Sequence, residues 1–581
     1  MFTKKTTLNR WLNFDRSLVL LGIVLIVAAV MVIRLFNIQV LTAQHYQALA
    51  KDQHELYEEL VPRRGSILVQ DSSSPTGTFT LAANKELYLA YAVPREIDDP
   101  NEVARQLHDI VKLEPEEIVA KIGTDKDDPY QPIARKLDKG QADQVRELGL
   151  DGVRLQSEDI RFYPNGKLAS HLLGYVGYDM NNHLGGVTGL EKYYEEELAG
   201  RRGELLAEKD ARGQWLPVGD KTMERATDGA DLVLTVDRTI QFKAEEMIKK
   251  AVEDHGADNG TVIVMNPKTG EIITMANYPD FDPNFYQEVE DLGVFNNSAI
   301  FDLYEPGSTF KVLQVAAGID AGKITAGTTF HDSGSIKIGS YTIYNFENRS
   351  YGDLTVTQAI EKSDNVVMAQ IGQLLGPDLI NKYFDQFGLR KLTGIDIFKE
   401  SENYIKPAKE WKEIDVATSS FGQGVTLTPI QLVTSVASLA NNGKMMRPYL
   451  VKEIRYADGT VKKIEPKFVQ QTVDGRTAAT LVAIMRSSVK NGFAKPAEVP
   501  GYEIAGKTGT AQVASSDRKG YDPNKKIVSF IGFPASDPEF IMLVKVDNPK
   551  GAEEAGVTVA APLFRDLSKF IFSYRGTPPT E

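Results

Sequence analysis

Five short apolar runs, split along the chain, limit the folds open to it more than any other feature. Two lie together, Thr261 to Met265 and Ile272 to Ala276. Three more, within Glu503 to Val513, Ile527 to Phe533 and Phe540 to Val546, come only after a largely helical middle. Runs of this length bounded by turn residues read as strands. Strands from the two ends must pair for either group to be buried, and a five-stranded antiparallel sheet between helical layers, in an α/β domain, satisfies this. The middle holds one well-signalled helix, with Thr428 as cap, Pro429 at the first position, an apolar face through Leu432 and Val436 and Asn442-Gly443 as stop. A last helix is expected near Ala561 to Tyr574.

Three motifs stand in order across the same region: Ser308-Thr309-Phe310-Lys311, Ser363-Asp364-Asn365 and Lys507-Thr508-Gly509-Thr510. Each alone is weak, since a Ser-x-x-Lys arises by chance roughly once or twice in a chain of this length. Ser487 to Lys490 and Ser516 to Lys519 also fit, Ser401-Glu402-Asn403 mimics the second motif and Lys268-Thr269-Gly270 the third. Context separates them. Lys268-Thr269-Gly270 lies between two strand runs and reads as a hairpin turn. The two extra Ser-x-x-Lys matches, one ending a helix-like stretch from Arg476 and one in a polar run, read as solvated surface. Gly422-Gln423-Gly424 reads as a tight turn, because the rest of a phosphate loop is missing.

Glu305-Pro306-Gly307 bends the chain just before Ser308, and Phe310, Val312, Leu313, Val315 and Ala316 continue as a helix apolar enough to be buried. Ser308 then sits at a helix N-terminus, and Lys311, three residues on, shares its face. A lysine among apolar neighbours is disfavoured as a cation, which makes Lys311 a candidate base. A capping serine followed by a snorkelling lysine is the structural alternative. On an extended strand Thr508 and Thr510 point to one face, suited to a carboxylate, while Gly509 permits close backbone approach. Ser363 and Asn365 alternate in the same way, able to pass a proton and hold an amide; a plain cap on the run Val366 to Leu375 is the alternative.

At 581 residues and 42% hydrophobic, the chain should hold two or more domains. A net charge of −13 without a basic stripe argues against nucleic acid. There is no cysteine and the histidines are scattered, so no metal site is expected. Ser17 to Ile33 carries no charge and follows Lys4, Lys5, Arg10 and Arg16, which predicts a single membrane span over 17–40 with residues 1–16 in the cytoplasm and everything later outside. A cleaved signal peptide is the alternative; Ala48-Leu49-Ala50 has the small-residue form but lies too far past the run to be a good cleavage site. Gln44 to Leu60 is helix-compatible, Leu87 to Val93 reads as a strand, and Val103, Leu107, Ile110 and Val111 recur at helical spacing after Asp98-Asp99-Pro100. The charged segment Lys221 to Ala230 marks a boundary between a spacer or docking region, 41–230, and the motif-bearing domain, 231–575, with a tail at 576–581.

The three motifs are those of penicillin-binding proteins and class A β-lactamases. With Glu305-Pro306-Gly307, Glu361-Lys362, Arg63-Arg64-Gly65-Ser66-Ile67 and Gly189-Leu190-Glu191-Lys192-Tyr193, the chain resembles a class B penicillin-binding protein over nearly its whole length. The resemblance implies a single-pass anchor in the cell (inner) membrane, an elongated non-catalytic α+β pedestal, and a penicillin-sensitive D,D-transpeptidase domain that cross-links peptidoglycan stem peptides without metal or organic cofactor. Glu305 before Pro306 and Glu361-Lys362 before Ser363 look like the septal, cell-division branch more than the side-wall elongation branch. Glycan polymerisation would fall to a polytopic partner of the division or elongation machinery. The resemblance assigns Ser308 as nucleophile, Lys311 as its base, Ser363 as proton donor to the departing D-Ala, and Asn365 as holder of Lys311 and the substrate amide. Lys507 supplies positive potential, Thr508 and Thr510 bind the terminal carboxylate, and the backbone N–H groups of Ser308 and Thr510 form an oxyanion hole. A β-lactamase or D,D-carboxypeptidase stays open, although Glu400 and Glu402 are weak candidates for activating water; so does a non-enzymatic β-lactam sensor or divisome scaffold.

Overall fold

The computed structural model describes residues 16–37, 39, 55–72, 74–123, 128, 130–178, 183–208, 221–515, 520–551 and 556–580. The chain divides into two compact units, Met1–Pro62 with Arg201–Thr227, and Arg63–Gly200 with Asp228–Glu581. The first holds the helix Arg16–Phe36, whose apolar side chains from Leu20 onward are exposed, and an antiparallel three-stranded sheet of Glu55–Leu60, Gly203–Glu208 and Lys221–Glu224. Among the described residues no helix is long and apolar enough to cross a membrane. Glu55–Leu60 is a strand, not the end of a helix, because it pairs along its length with Gly203–Glu208; residues 44–54 lie outside the described set.

In the second unit the five apolar runs form one sheet: β1 (Asn259–Met265), β2 (Ile272–Tyr278), β3 (Ile504–Ala514), β4 (Tyr521–Pro534) and β5 (Ile541–Asp547). Its order is β2-β1-β5-β4-β3, antiparallel throughout. Alternation along each strand supplies both faces. Val262, Val264, Phe530 and Val544 pack with the helices α1 (Arg238–Asp254) and Ala561–Arg575, while Ile263, Met265, Ile531 and Leu543 pack with the inner helices. Each such side chain, fully buried, contributes about 1.5–3 kcal/mol, so neither hairpin is stable without the other. The turn at Lys268-Thr269-Gly270 joins β1 to β2, with Gly270 at φ 87°.

Four inner helices position the motifs: α2 (Lys311–Asp320), α3 (Val356–Glu361), α4 (Asn365–Gln386) and α5 (Pro429–Ala440), the last opened by a reciprocal Thr428–Gln431 capping box. α6 (Gly475–Asn491) packs beside α3. A second sheet joins Ile67–Gln70 in parallel with Asp231–Asp237, so a segment of the expected pedestal shares a sheet with the start of the expected catalytic domain. The helix Pro100–Val111 starts where the sequence places it, with the Asp99 side chain accepting from Asn101 N and Glu102 N. Elsewhere in the same unit, Glu191 is completely buried and takes Arg64 Nε at 2.7 Å and Arg161 Nε at 2.6 Å.

Candidate active site

The nucleophile motif opens as a 3₁₀ turn, Gly307–Phe310, that runs into α2. Gly307 takes φ +57°, and a side chain there would come within 2.9 Å of Thr510 O, so the turn lies against β3. Gly509 is equally constrained: a Cβ would meet Ser529 Oγ at 2.5 Å and Thr309 Cγ2 at 2.8 Å. The two glycines let the motif strand and the serine turn touch backbone to backbone. Ser308 is half-buried at a cleft of about 440 Å³, which Ser363, Asn365, Thr508 and Thr510 also line. Thr508, Thr510 and Gln512 share one wall, as period-2 alternation requires.

Lys311 and Lys507 are not among the residues that line the cleft: both are almost completely buried and reach it through Ser363, which does line it. Lys311 Nζ donates to Ser363 O at 2.7 Å, to Asn365 Oδ1 at 2.7 Å and weakly to Ser363 Oγ at 3.4 Å. Lys507 Nζ donates to Ser363 Oγ at 2.9 Å and to its neighbour's carbonyl, Thr508 O, at 3.1 Å. Among the described residues no hydrogen bond joins Lys311 to Ser308 Oγ, although both stand on one face of the turn. Burial first, then the neighbouring Lys507 cation, holds the Lys311 amine well below its ordinary range, against a smaller pull from Asp364. Burial alone lowers Lys507 to about 7. Both lysines are therefore available as neutral amines near neutral pH.

The middle motif serves two purposes at once. Asp364 caps α4, accepting from Val367 N at 2.7 Å, so the capping alternative holds for the aspartate. Its flanking residues do other work: Ser363, at φ +54°, presents both its carbonyl and its hydroxyl to the lysines, and Asn365 turns its amide oxygen on Lys311. A non-glycine residue in the left-handed region is held there only by its surroundings. Burial, against the Val367 N–H, and then the nearby Asp332 carboxylate raise the Asp364 carboxyl to about 6.

One residue of this network has no motif to announce it. Asn345, buried, donates to Asp364 Oδ2 at 2.8 Å and to Asp332 Oδ1 at 2.8 Å, and accepts from Asn365 N at 2.8 Å. The Asn365 amide donates to Tyr344 O at 3.0 Å, which leaves its oxygen facing Lys311. Only the long hairpin between α2 and α3 brings these residues to the motif.

The competing matches fall away on structural grounds. Of the Ser487–Lys490 match, Lys490 is exposed as expected, while Ser487 is half-buried because α6 packs on α3, its hydroxyl donating to Glu361 Oε1; neither residue lines the cleft. Asn403 donates to two backbone carbonyls, Leu389 O and Thr426 O, both at 2.8 Å, and is a loop brace. Ser516 to Lys519 lie outside the described residues. Glu400 caps Thr393 N and Gly394 N and is absent from the cleft lining.

Comparison with known proteins agrees with this geometry. The penicillin binding protein transpeptidase domain matches residues 260–569, and the penicillin-binding protein dimerisation domain matches residues 59–234. Stage V sporulation protein D of Bacillus subtilis is 34% identical over 94% of the chain and 83% of its own length. Peptidoglycan D,D-transpeptidase FtsI of Escherichia coli is 28% identical over 86% of the chain and 83% of its own length. Among solved structures, penicillin binding protein 3 of Mycobacterium tuberculosis, complexed with aztreonam, covers 90% of the chain and 98% of its own length at 25% identity, with a TM-score of 0.67. Penicillin binding protein 2X of Streptococcus thermophilus shares the fold, with a TM-score of 0.73 at 24% identity over 90% of the chain and 83% of its own. With a half-buried serine over two buried lysines, and a family match that spans all three motifs, the chain belongs to the class B penicillin-binding proteins.

Proposed function

We propose that the protein is a membrane-anchored peptidoglycan D,D-transpeptidase that cross-links stem peptides through a Ser308 acyl-enzyme and is blocked by β-lactams. The arrangement around Lys311 carries this reading. A neutral amine has two N–H groups and one lone pair. The two short bonds to Ser363 O and Asn365 Oδ1 account for both N–H groups, which leaves the lone pair for the Ser308 proton. Ser308 Oγ attacks the penultimate D-Ala carbonyl as that proton passes to Lys311, and the oxyanion is held by the N–H groups of Ser308 and Thr510. Ser363 Oγ accepts from Lys507 Nζ, so its own proton is free to pass to the departing D-Ala nitrogen. Lys507, Thr508 and Thr510 take the terminal carboxylate, Gly509 keeps the strand close, and an acceptor amine from a second stem peptide releases the product.

The helix Arg16–Phe36 falls within the expected anchor region, and the basic residues before it support an orientation with the catalytic domain outside the cell membrane. Cross-linked product from purified protein and a defined lipid-linked glycan substrate tests the activity; hydrolysis without cross-linking would favour the carboxypeptidase alternative. Protein lacking residues 1–40 should be soluble and still react with penicillin. A septal role fits the likeness to FtsI, with a polytopic glycan polymerase and other division proteins as partners. One observation favours a second reading: identity is higher, 34%, with stage V sporulation protein D than the 28% with FtsI. Depletion during growth and during sporulation separates the two, since filaments mark a division enzyme and defective spores a sporulation one.

A further inference from the structure

Glu305 stands three residues before the nucleophile and is not among the residues that line the cleft. Its two carboxylate oxygens are used separately. Oε1 accepts from Gly424 N at 3.0 Å, and Oε2 accepts from Tyr521 OH at 2.9 Å. Among the described residues no lysine or arginine pairs with it, and burial pushes its carboxyl up, against the Tyr521 and Gly424 bonds. A half-buried carboxylate without a cation is partly desolvated at a cost in free energy, and two neutral donors compensate only part of it. Mere solvation or charge pairing does not account for the residue.

Its geometry does. Gly424 belongs to the turn whose Gly422 O accepts from Gly307 N at 3.1 Å, and whose Gln423 Nε2 donates to Gln512 Oε1 at 3.1 Å. Tyr521 opens β4 and pairs with Ala514 at the end of β3, the strand that carries Thr508 and Thr510. The Glu305 side chain thus ties the segment that carries the serine turn both to the 422–424 turn and to the start of β4. We propose that Glu305 is a positioning residue: it clasps these three segments so that the Ser308 and Thr510 N–H groups keep a fixed separation when the acyl bond forms. The inference rests on the acyl-enzyme reading above, and it concerns geometry and not charge. A misplacement of about 1 Å in such a constellation costs on the order of 100-fold in rate.

The roles of shape and charge separate under substitution. A glutamine offers its oxygen to Gly424 N–H and its amide to the Tyr521 oxygen, so it keeps the clasp and loses the charge. Stopped-flow acylation of the full chain by a fluorescent penicillin, with thermal melting of each variant, is the experiment. Glu305→Gln should acylate within about threefold of the parent, Glu305→Ala should be slower by about 30- to 100-fold, and Tyr521→Phe by about three- to tenfold. The double variant Glu305→Ala/Tyr521→Phe should be no slower than Glu305→Ala, because both changes open one clasp. If Glu305→Gln is as slow as Glu305→Ala, the carboxylate acts through charge and the proposal fails. It fails equally if Glu305→Ala lowers the melting temperature but leaves the rate of the folded protein unchanged. A parent protein that does not acylate would instead overturn the acyl-enzyme reading, so the two failures are distinct.

Discussion

Two buried charge clusters in the second unit invite comparison, the one around Glu191 and the one beneath Ser308. At Glu191, burial alone would push the carboxyl up, but Arg161 and Arg64 together outweigh it and hold it below its ordinary range. Every charge there faces its opposite at hydrogen-bond distance. Beneath Ser308 the balance is reversed. Two buried lysines stand together with Asp364 as the nearest counter-charge, and all three are driven toward their neutral forms. A compensated cluster fixes a shape, whereas an uncompensated one leaves protons able to move.

The largest test of that contrast is removal of the nucleophile. Ser308→Ala should abolish covalent labelling by fluorescent penicillin, and Ser487→Ala should leave it intact; label that survives Ser308→Ala would move the chemistry elsewhere. Next comes the base. Lys311→Arg keeps charge and much of the bulk but cannot deprotonate near neutral pH, so stopped-flow acylation should fall by about a thousandfold, the middle of the range for a general-base contribution. Lys507→Arg still supplies positive potential and should lose only about tenfold. Equal, near-parental rates in the two would erase the distinction between the clusters.

Glu191→Ala strikes the other cluster. It leaves the buried Arg161 guanidinium without its carboxylate and Arg64 with Glu195 alone, which should cost about 3–5 kcal/mol in urea unfolding, while the folded fraction still acylates at the parental rate. A stable variant with slow acylation would show that the network serves the chemistry and not the frame.

The smallest effect is in pH. Because Lys507 is lowered to about 7, its positive charge is present below that pH and lost above it. Acylation by a carboxylate-bearing penicillin should therefore decline as pH rises past about 7, a limb that belongs to the coupled pair of lysines. Lys507→Arg should remove the limb, since arginine stays charged. Stability moves the opposite way: the unfolded chain binds the extra proton between about 7 and 10.5, so the penalty for burying Lys507 is full below that window and fades as pH rises through it. A melting temperature insensitive to pH there, relative to Lys507→Met, would contradict this.

Much of this arrangement is legible in the sequence because the signals are local. Apolar runs bounded by turns locate all five strands, Thr428-Pro429 locates α5, and the spacing of Ser308 and Lys311 puts them on one face. What escapes is long-range. Asn345 reaches Asp364 only through a hairpin, and Glu305 meets Tyr521 across 216 positions with nothing in either neighbourhood to mark the pair. Glu55–Leu60 escapes for a related reason, since a polar run becomes a strand only when a distant partner supplies its ladder. The double duty of Ser363-Asp364-Asn365 is also hidden, because a cap and a catalytic motif look alike until Lys311 arrives between its outer residues.

The order of the sheet carries a consequence for how the chain is made. β5, the last strand to be synthesised, is the middle strand in space, flanked by β1 and β4. Until it arrives, the β1–β2 and β3–β4 hairpins are two unjoined pieces, each with an open edge and an unburied apolar face. A ribosome making this chain must carry it through β5 before the serine and the motif strand can be locked together, because the closing pairs span hundreds of residues. The enzyme thus stays silent while it is being born, and a message cut short between Thr510 and Ile541 yields a chain with every motif present and no keystone.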